Sequence, residues 1–165
     1  MKYTVFSTPQ GYCAAVEDKG KLAAFYLPVE RYDTAVNRVL SEHPGAKDCE
    51  TELLKEVEAI VDHYFSGGRA DFSHIPAIEA GGSEFASAVL DEVRKIPYGE
   101  TVSYKKLAEK AGMKGSARAA GNALNKNPLP LIIPCHRVIK NSGELGGYNG
   151  GPGWKVRLLK LEKAI

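Results

Sequence analysis

The chain has 165 residues, 44% of them hydrophobic and 25% charged, with a net charge of +2. That balance is ordinary for a soluble globular protein of one compact unit or two small ones. No run reaches the ~18 consecutive apolar residues of a membrane span, and Met1–Phe6 is too short and polar for a signal peptide. The three cysteines, Cys13, Cys49 and Cys135, form an odd, unclustered set, which argues against a disulfide framework or a zinc ribbon and for a reducing, cytoplasmic compartment.

Charge is unevenly distributed. Residues 1–79 hold 8 basic and 13 acidic side chains, whereas residues 80–165 hold 14 basic and 7 acidic. A basic half joined to an acidic one suggests that the C-terminal half meets a polyanion.

In chain order, Met1–Ser7 reads as a strand ending at the turn Pro9-Gln10-Gly11. Tyr12–Val16 and Leu22–Tyr26 are β-rich runs around the turn cluster Glu17-Asp18-Lys19-Gly20. Asp33–Leu40 has helical apolar spacing and stops near Pro44-Gly45. Cys49–Phe65 is a stronger helix, with Leu53, Leu54, Val57, Ile60, Val61, Tyr64 and Phe65 at helical period before Gly67-Gly68. Cys13, His43, His63 and His74 have ordinary structural explanations, and no spacing supports a zinc site built on Cys13 and Cys49.

Asp71–Gly82, with Pro76 and Gly81-Gly82, reads as a linker. Ser83 caps a predicted helix from Glu84 to about Lys95. Ile96–Glu100 is a turn, and Ser103 caps a short helix through Glu109. After Ala111-Gly112-Met113 a second helix runs from about Ser116 to Asn125, which makes a helix-turn-helix pattern. That second helix is almost all small residues with one arginine, Arg118. Such a helix either packs closely on another helix or approaches a nucleic-acid backbone and projects its single cation. The expected fold is α/β in content with an α+β arrangement. A small N-terminal sheet-plus-helix domain (1–76) precedes a mostly helical C-terminal domain with a helix-turn-helix (81–165).

The chain is organised around Leu131-Ile132-Ile133-Pro134-Cys135-His136-Arg137-Val138. Leu131–Ile133 reads as a brief buried strand or extended segment, and Pro134 presents Cys135 at a rigid point. A thiol beside a histidine and an arginine is a candidate low-pKa thiolate, although a free cysteine is more often a small buried hydrophobe. Neighbours in extended chain point to opposite sides, so His136 would reach the sulfur only through a water. The loop Asn141–Gly151 is glycine-rich but lacks a Walker lysine and the dinucleotide fingerprint. It suits recognition of a flat ligand by main chain rather than phosphate cradling. Pro152–Ala164 closes the chain as a helix carrying Trp154, Val156, Leu158, Leu159 and Leu161.

From Phe85 to Glu162 these features resemble the O6-alkylguanine-DNA alkyltransferase (methylated-DNA–protein-cysteine methyltransferase) family. Pro134-Cys135-His136-Arg137-Val138 is identical to that family's active-site signature. The resemblance implies that Cys135 takes the alkyl group from guanine O6, that His136 deprotonates it through a water, and that Glu162 orients the imidazole. It makes Asn127 the residue that steadies the cysteine turn. Tyr104 becomes both a contact for the phosphate beside the lesion and the proton donor to N3. Arg118 becomes the finger that fills the base stack, and Ser103, Ala117, Gly121 and Asn122 complete the DNA-contacting face. Pro130, Val138, Tyr148 and Asn149 line the alkyl and guanine pocket, with the Cys135 and Val138 carbonyls accepting from the guanine amino group. Asn149 stands where the family commonly has serine.

The implied partner is double-stranded DNA containing O6-alkylguanine, with O4-alkylthymine left open. The implied protein is a monomer that uses no cofactor, metal or membrane. Three other readings are weaker. An alkyltransferase-like lesion binder would carry another residue, typically tryptophan, in place of Cys135. A Cys-His hydrolase would want an oxyanion hole, and a helix-turn-helix regulator would want base-reading side chains on its second helix.

Overall fold

The structure is a computed structural model that describes residues 1–79, 82–151 and 153–165. Gly81 in the predicted linker and Pro152 at the predicted start of the last helix lie outside the described residues. The chain divides into two compact units, Met1–Ile78 and Glu79–Ile165.

In the first unit, β1 (Lys2–Thr8), β2 (Gly11–Asp18) and β3 (Lys21–Val29) form an antiparallel meander. A two-residue strand, β4 (Lys47–Asp48), adds parallel to β1, so the sheet order is β3-β2-β1-β4. Alternation places Tyr3, Ala14, Val16, Ala24 and Tyr26 on one face, where they pack with Val39 of α1 (Tyr32–Glu42). Phe6, Cys13, Ala15 and Phe25 are buried on the other. α2 (Glu52–Phe65) packs on β1 and β2 and buries Leu54, Val57, Val61, Tyr64 and Phe65. Burial on both faces explains why β2 and β3 read as nearly continuous apolar runs.

The predicted start of α2 at Cys49 is three residues early. Thr51 has extended backbone and its hydroxyl accepts from Leu54 N at 3.1 Å, so the helix proper begins at Glu52. Asp71–Gly82 is also not free linker as far as Ile78. Leu22 N donates to Pro76 O at 2.7 Å and Ile78 N to Leu22 O at 2.9 Å, which seals the outer edge of β3.

Thr51 also donates its hydroxyl proton to the carboxylate of Glu17, which is only 8% exposed. Thr51→Ala therefore removes a helix cap and a partner of a buried charge. It should cost about 2–3 kcal/mol in urea unfolding, against about 1 kcal/mol for the plain cap removal Ser83→Ala. Equal losses from the two variants would show that the Glu17 contact contributes nothing.

The second unit starts with α3 (Glu84–Arg94), capped by Ser83 as predicted, with Val89, Leu90 and Val93 buried. β5 (Val102–Ser103) leads into α4 (Tyr104–Lys110), whose cap Ser103 accepts from Lys106 N. A turn through Gly112 and Gly115, both at positive φ, connects α4 to α5 (Ala117–Leu124). α5 packs on α3 and α4 through Ala120, Ala123 and Leu124, so its small residues do serve a close helix–helix contact. Ala117, Arg118, Gly121 and Asn122 fall on a different side of the helix.

The apolar run before the cysteine is not a strand. Leu131 adopts φ +75 and Pro130 bridges Ile133, so the segment is a buried tight turn. Cys135–Arg137 forms a 3-10 turn, followed by β6 (Val138–Ile139), which pairs parallel with β5. That two-strand ribbon ties the start of α4 to the cysteine turn. α6 (Trp154–Leu161) then packs on the turn.

Candidate active site

Cys135 is 4% exposed and held by a fully satisfied buried asparagine. Asn127 Nδ2 donates to Ile133 O at 3.0 Å and to Cys135 Sγ at 3.2 Å, while its Oδ1 accepts from Leu129 N at 2.9 Å. One side chain therefore fixes both the strained Leu131 turn and the sulfur.

His136 is wholly buried, and its Nε2 pairs with Glu162 Oε1 at 2.7 Å. Its Nδ1 is buried with no hydrogen-bond partner among the described residues. In a turn with three residues per revolution adjacent side chains diverge by about a third of a circle. This, rather than extended geometry, separates the imidazole from the sulfur. Glu162, just past the end of α6, also accepts from Arg137 Nε at 2.9 Å, Arg137 Nη2 at 3.0 Å and Gly99 N at 3.1 Å. Gly99 is a position that requires glycine. Its φ is +80, and a Cβ there would stand 3.1 Å from the Glu162 carbonyl oxygen.

Electrostatics follow from this packing. Burial would raise the Glu162 carboxyl, but the hydrogen bonds from His136 and Arg137 overcome it and hold the group at about 2. Burial pushes the His136 imidazole down, with the Glu162 carboxylate opposing. The expected low-pKa thiol is not what the resting site contains. Burial pushes the Cys135 thiol up, with Asn127 and Lys155 pulling the other way. Arg137, its sequence neighbour, is committed to Glu162 and to Ile96 O at 2.6 Å.

The other nominated residues sort into two groups. Tyr104, Ala117, Arg118, Gly121 and Asn122 line one open cleft of about 370 Å³ together with Gly146 and Gly147 of the glycine loop. Ser103 stands just before them as the cap of α4. Tyr148 and Asn149 line a second cleft of about 430 Å³ with Lys155. The Tyr148 ring meets His136 edge-on at 6.4 Å, and Asn149 Nδ2 donates to Asn125 O at 2.8 Å, tying the loop to the end of α5. Pro130 is half-buried in the Leu131 turn and Val138 is fully buried in β6; neither lines either of these two clefts. Cys13 is buried, which pushes its thiol up and makes it inert. No group of three metal-binding side chains occurs among the described residues.

Residues 84–164 match the family described as the 6-O-methylguanine DNA methyltransferase DNA-binding domain. A methylated-DNA–protein-cysteine methyltransferase of Methanosarcina acetivorans is 35% identical over 164 residues, 98% of each chain. The chain belongs to this methyltransferase family. A second member, from Metallosphaera sedula, is 49% identical over 123 residues, covering 71% of this chain and 76% of its own. The crystal structure of Mycobacterium tuberculosis OGT in complex with DNA superposes with a TM-score of 0.81 at 30% identity, covering 99% of this chain and 94% of that one. The methyltransferase fold thus spans both units. No described helix is long and apolar enough to cross a membrane.

Two site residues of this methyltransferase were not nominated from sequence. Arg137 was noted only as a neighbour of the thiol, yet it anchors Glu162. Lys155 is 5% exposed in the first turn of α6, and its Nζ donates to Val138 O at 2.6 Å and Gly147 O at 3.2 Å. One signal could have revealed it. Positions 155, 158, 159 and 162 form a single helical stripe, and Leu158 and Leu159 mark that stripe as core.

Proposed function

We propose that this protein repairs duplex DNA by moving the alkyl group from O6 of guanine onto Cys135, once per molecule. The observation that carries this reading is the buried Glu162–His136 pair, whose free ring nitrogen lies one residue from a thiol clamped by Asn127. It is a nucleophile, base and orienter in series.

On this reading the Cys135 proton passes through a water to His136 Nδ1, while Nε2–H stays on the Glu162 carboxylate. The thiolate attacks the alkyl carbon. A carbon–sulfur bond forms as the carbon–oxygen bond breaks, and the electron pair goes to the purine, which leaves as neutral guanine after N3 gains a proton. Tyr104 is the donor. Burial raises its phenol, which keeps it protonated at neutral pH. The Cys135 and Val138 carbonyls would accept from the guanine amino group. The product thioether is not reducible, so the chain is consumed.

O6 lies inside the duplex, so the base must flip, at about a few kcal/mol. Arg118 in the cleft on α5 would fill the gap, with Ser103, Ala117, Gly121 and Asn122 against the backbone and Pro130, Val138, Tyr148 and Asn149 around the base. Such contacts position without reading sequence, as suits repair. The units would act as an N-terminal domain and a DNA-binding, alkyl-transfer domain of a cytoplasmic monomer. The direct test is intact mass after incubation with duplex DNA carrying O6-methylguanine. Wild type should gain one methyl group and stop, and Cys135→Ser should gain none. Tight lesion binding without a mass change would overturn transfer in favour of lesion recognition.

A further inference from the structure

The cleft formed by α4, α5 and the loop after β6 is lined by three cations, Lys105, Arg118 and Lys140, and by no carboxylate. Lys105 and Arg118 have no carboxylate partner among the described residues, whereas Lys140 Nζ donates to Glu144 Oε2 at 2.8 Å. The backbone makes this pair. Lys140 N donates to Glu144 O at 2.7 Å and Gly143 N to Lys140 O at 3.0 Å, with Gly143 at φ +87. The tight turn so formed sets the two side chains together, and the Ser142 hydroxyl donates to the same carboxylate oxygen at 3.4 Å. The side chains are 53% and 68% exposed, and an ion pair that open to water contributes little to stability. Holding the fold together is therefore a poor reason for it.

Its position is more informative. A Cβ built on Gly146 would stand 3.3 Å from the Tyr104 hydroxyl oxygen and 3.5 Å from Lys140 Cγ. The bare backbone of that glycine thus brings the stem of Lys140 alongside Tyr104, in the cleft that both share with Arg118. Glu144 does not line this cleft and holds the ammonium from outside it. A cation so placed can trade its carboxylate for an incoming anion at small cost, because both states keep a charge-assisted hydrogen bond. The trade is blind to sequence, since a phosphate offers charge and no base identity.

We propose that Lys140 binds a backbone phosphate of the DNA in the cleft of Tyr104 and Arg118, and that Glu144 is the anion it gives up to do so. This rests on the functional reading above, that the chain acts on duplex DNA. Lys140 adds one phosphate contact, and Glu144 competes for it and so holds the affinity down. The competition weakens damaged and undamaged DNA alike. A repair protein surrounded by undamaged duplex gains from it, because release from each wrong site is faster.

The test reads the salt dependence of binding. Full-length wild type, Lys140→Gln, Lys140→Arg, Glu144→Gln and the double glutamine variant are titrated onto a fluorescent undamaged duplex. Anisotropy is followed at potassium chloride concentrations from about 50 to 200 mM. Undamaged DNA keeps Cys135 chemistry out of the readout, and thermal unfolding confirms that each variant is folded. Lys160→Gln, at an exposed position of α6 outside both clefts, controls for net charge. Lys140→Gln should weaken binding about five- to tenfold near 100 mM salt and make the slope of log K against log salt shallower by about 0.9. Lys140→Arg should keep the wild-type slope. Glu144→Gln should bind about three- to fivefold tighter with that same slope, because the slope counts phosphates contacted. In the Lys140→Gln background this gain should fall below about twofold, since no cation is left to release. A Lys140→Gln slope equal to that of wild type, or no shallower than that of Lys160→Gln, would overturn the phosphate contact. A Glu144→Gln gain of the same size with and without Lys140 would overturn the exchange, because it would report net charge alone. If wild type shows no salt-dependent binding to duplex, the functional reading itself fails and this contact with it. A steep wild-type slope that Lys140→Gln leaves unchanged removes this contact only.

Discussion

Glu162→Gln is expected to lower the unfolding free energy by about 3–5 kcal/mol at neutral pH, a large share of what a small domain has. The carboxylate receives hydrogen bonds from His136, from two nitrogens of Arg137 and from Gly99. Glutamine offers one acceptor oxygen and turns an amide donor towards other donors. It also strands the buried Arg137 charge, whose remaining partner is Ile96 O. The pH dependence has a definite sign. A carboxyl held at about 2 against an ordinary value of 4.5 contributes stability that is complete above 4.5 and is lost as pH falls through 2. The wild type should therefore lose up to about 3 kcal/mol across that window, and the gap to the glutamine variant should narrow as acid is added. Alkyl transfer at pH 7 should fall about 100-fold or more, because the imidazole loses the anion that orients it and supports its protonation. Glu162→Asp, with the charge retained, should recover part of both. A glutamine variant as stable and as fast as wild type would remove Glu162 from the relay.

Sequence periodicity carries the fold where elements are long. The meander β1–β3 follows from alternation and turn residues, and α2 and α3 from apolar spacing with Thr51 and Ser83 as caps. The two-residue strands β4, β5 and β6 are too short to show any period, yet β5 and β6 join the helix-turn-helix to the cysteine. Leu131–Ile133 looked extended because it is apolar and precedes proline. Its turn, with a leucine at positive φ, is held by Asn127, whose side chain bonds Leu129 N, Ile133 O and the Cys135 sulfur, a link that apolar patterning does not encode. The same distinction governs the site. The signature singled out Cys135 and His136 and the family resemblance nominated Glu162, whereas the partner of Arg137 was not legible because it lies 25 positions away in the chain. Neighbours in a tight turn need not share a direction, and Arg137 turns to Glu162 and to Ile96 O.

Arg118→Ala is expected to separate recognition from chemistry. Arg118 is exposed on α5, lines the cleft with Tyr104 and makes no hydrogen bond among the described residues. Replacing it with the best helix former should leave stability within about 0.5 kcal/mol. On the proposed reading its guanidinium fills the stack vacated by the flipped base, offsetting part of an unstacking cost of about a few kcal/mol. Losing about 2.7 kcal/mol of that compensation would slow transfer from O6-methylguanine in duplex DNA about 100-fold. Reaction with free O6-benzylguanine, which has no stack to leave, should stay within about twofold. The defect should also shrink in single-stranded DNA, where there is little stacking to replace. A uniform loss across duplex, single strand and free base would mean that Arg118 acts on the thiol or on loop geometry, and the finger role would be withdrawn. A defect graded by the stacking of the substrate is the result that only a base-flipping role produces.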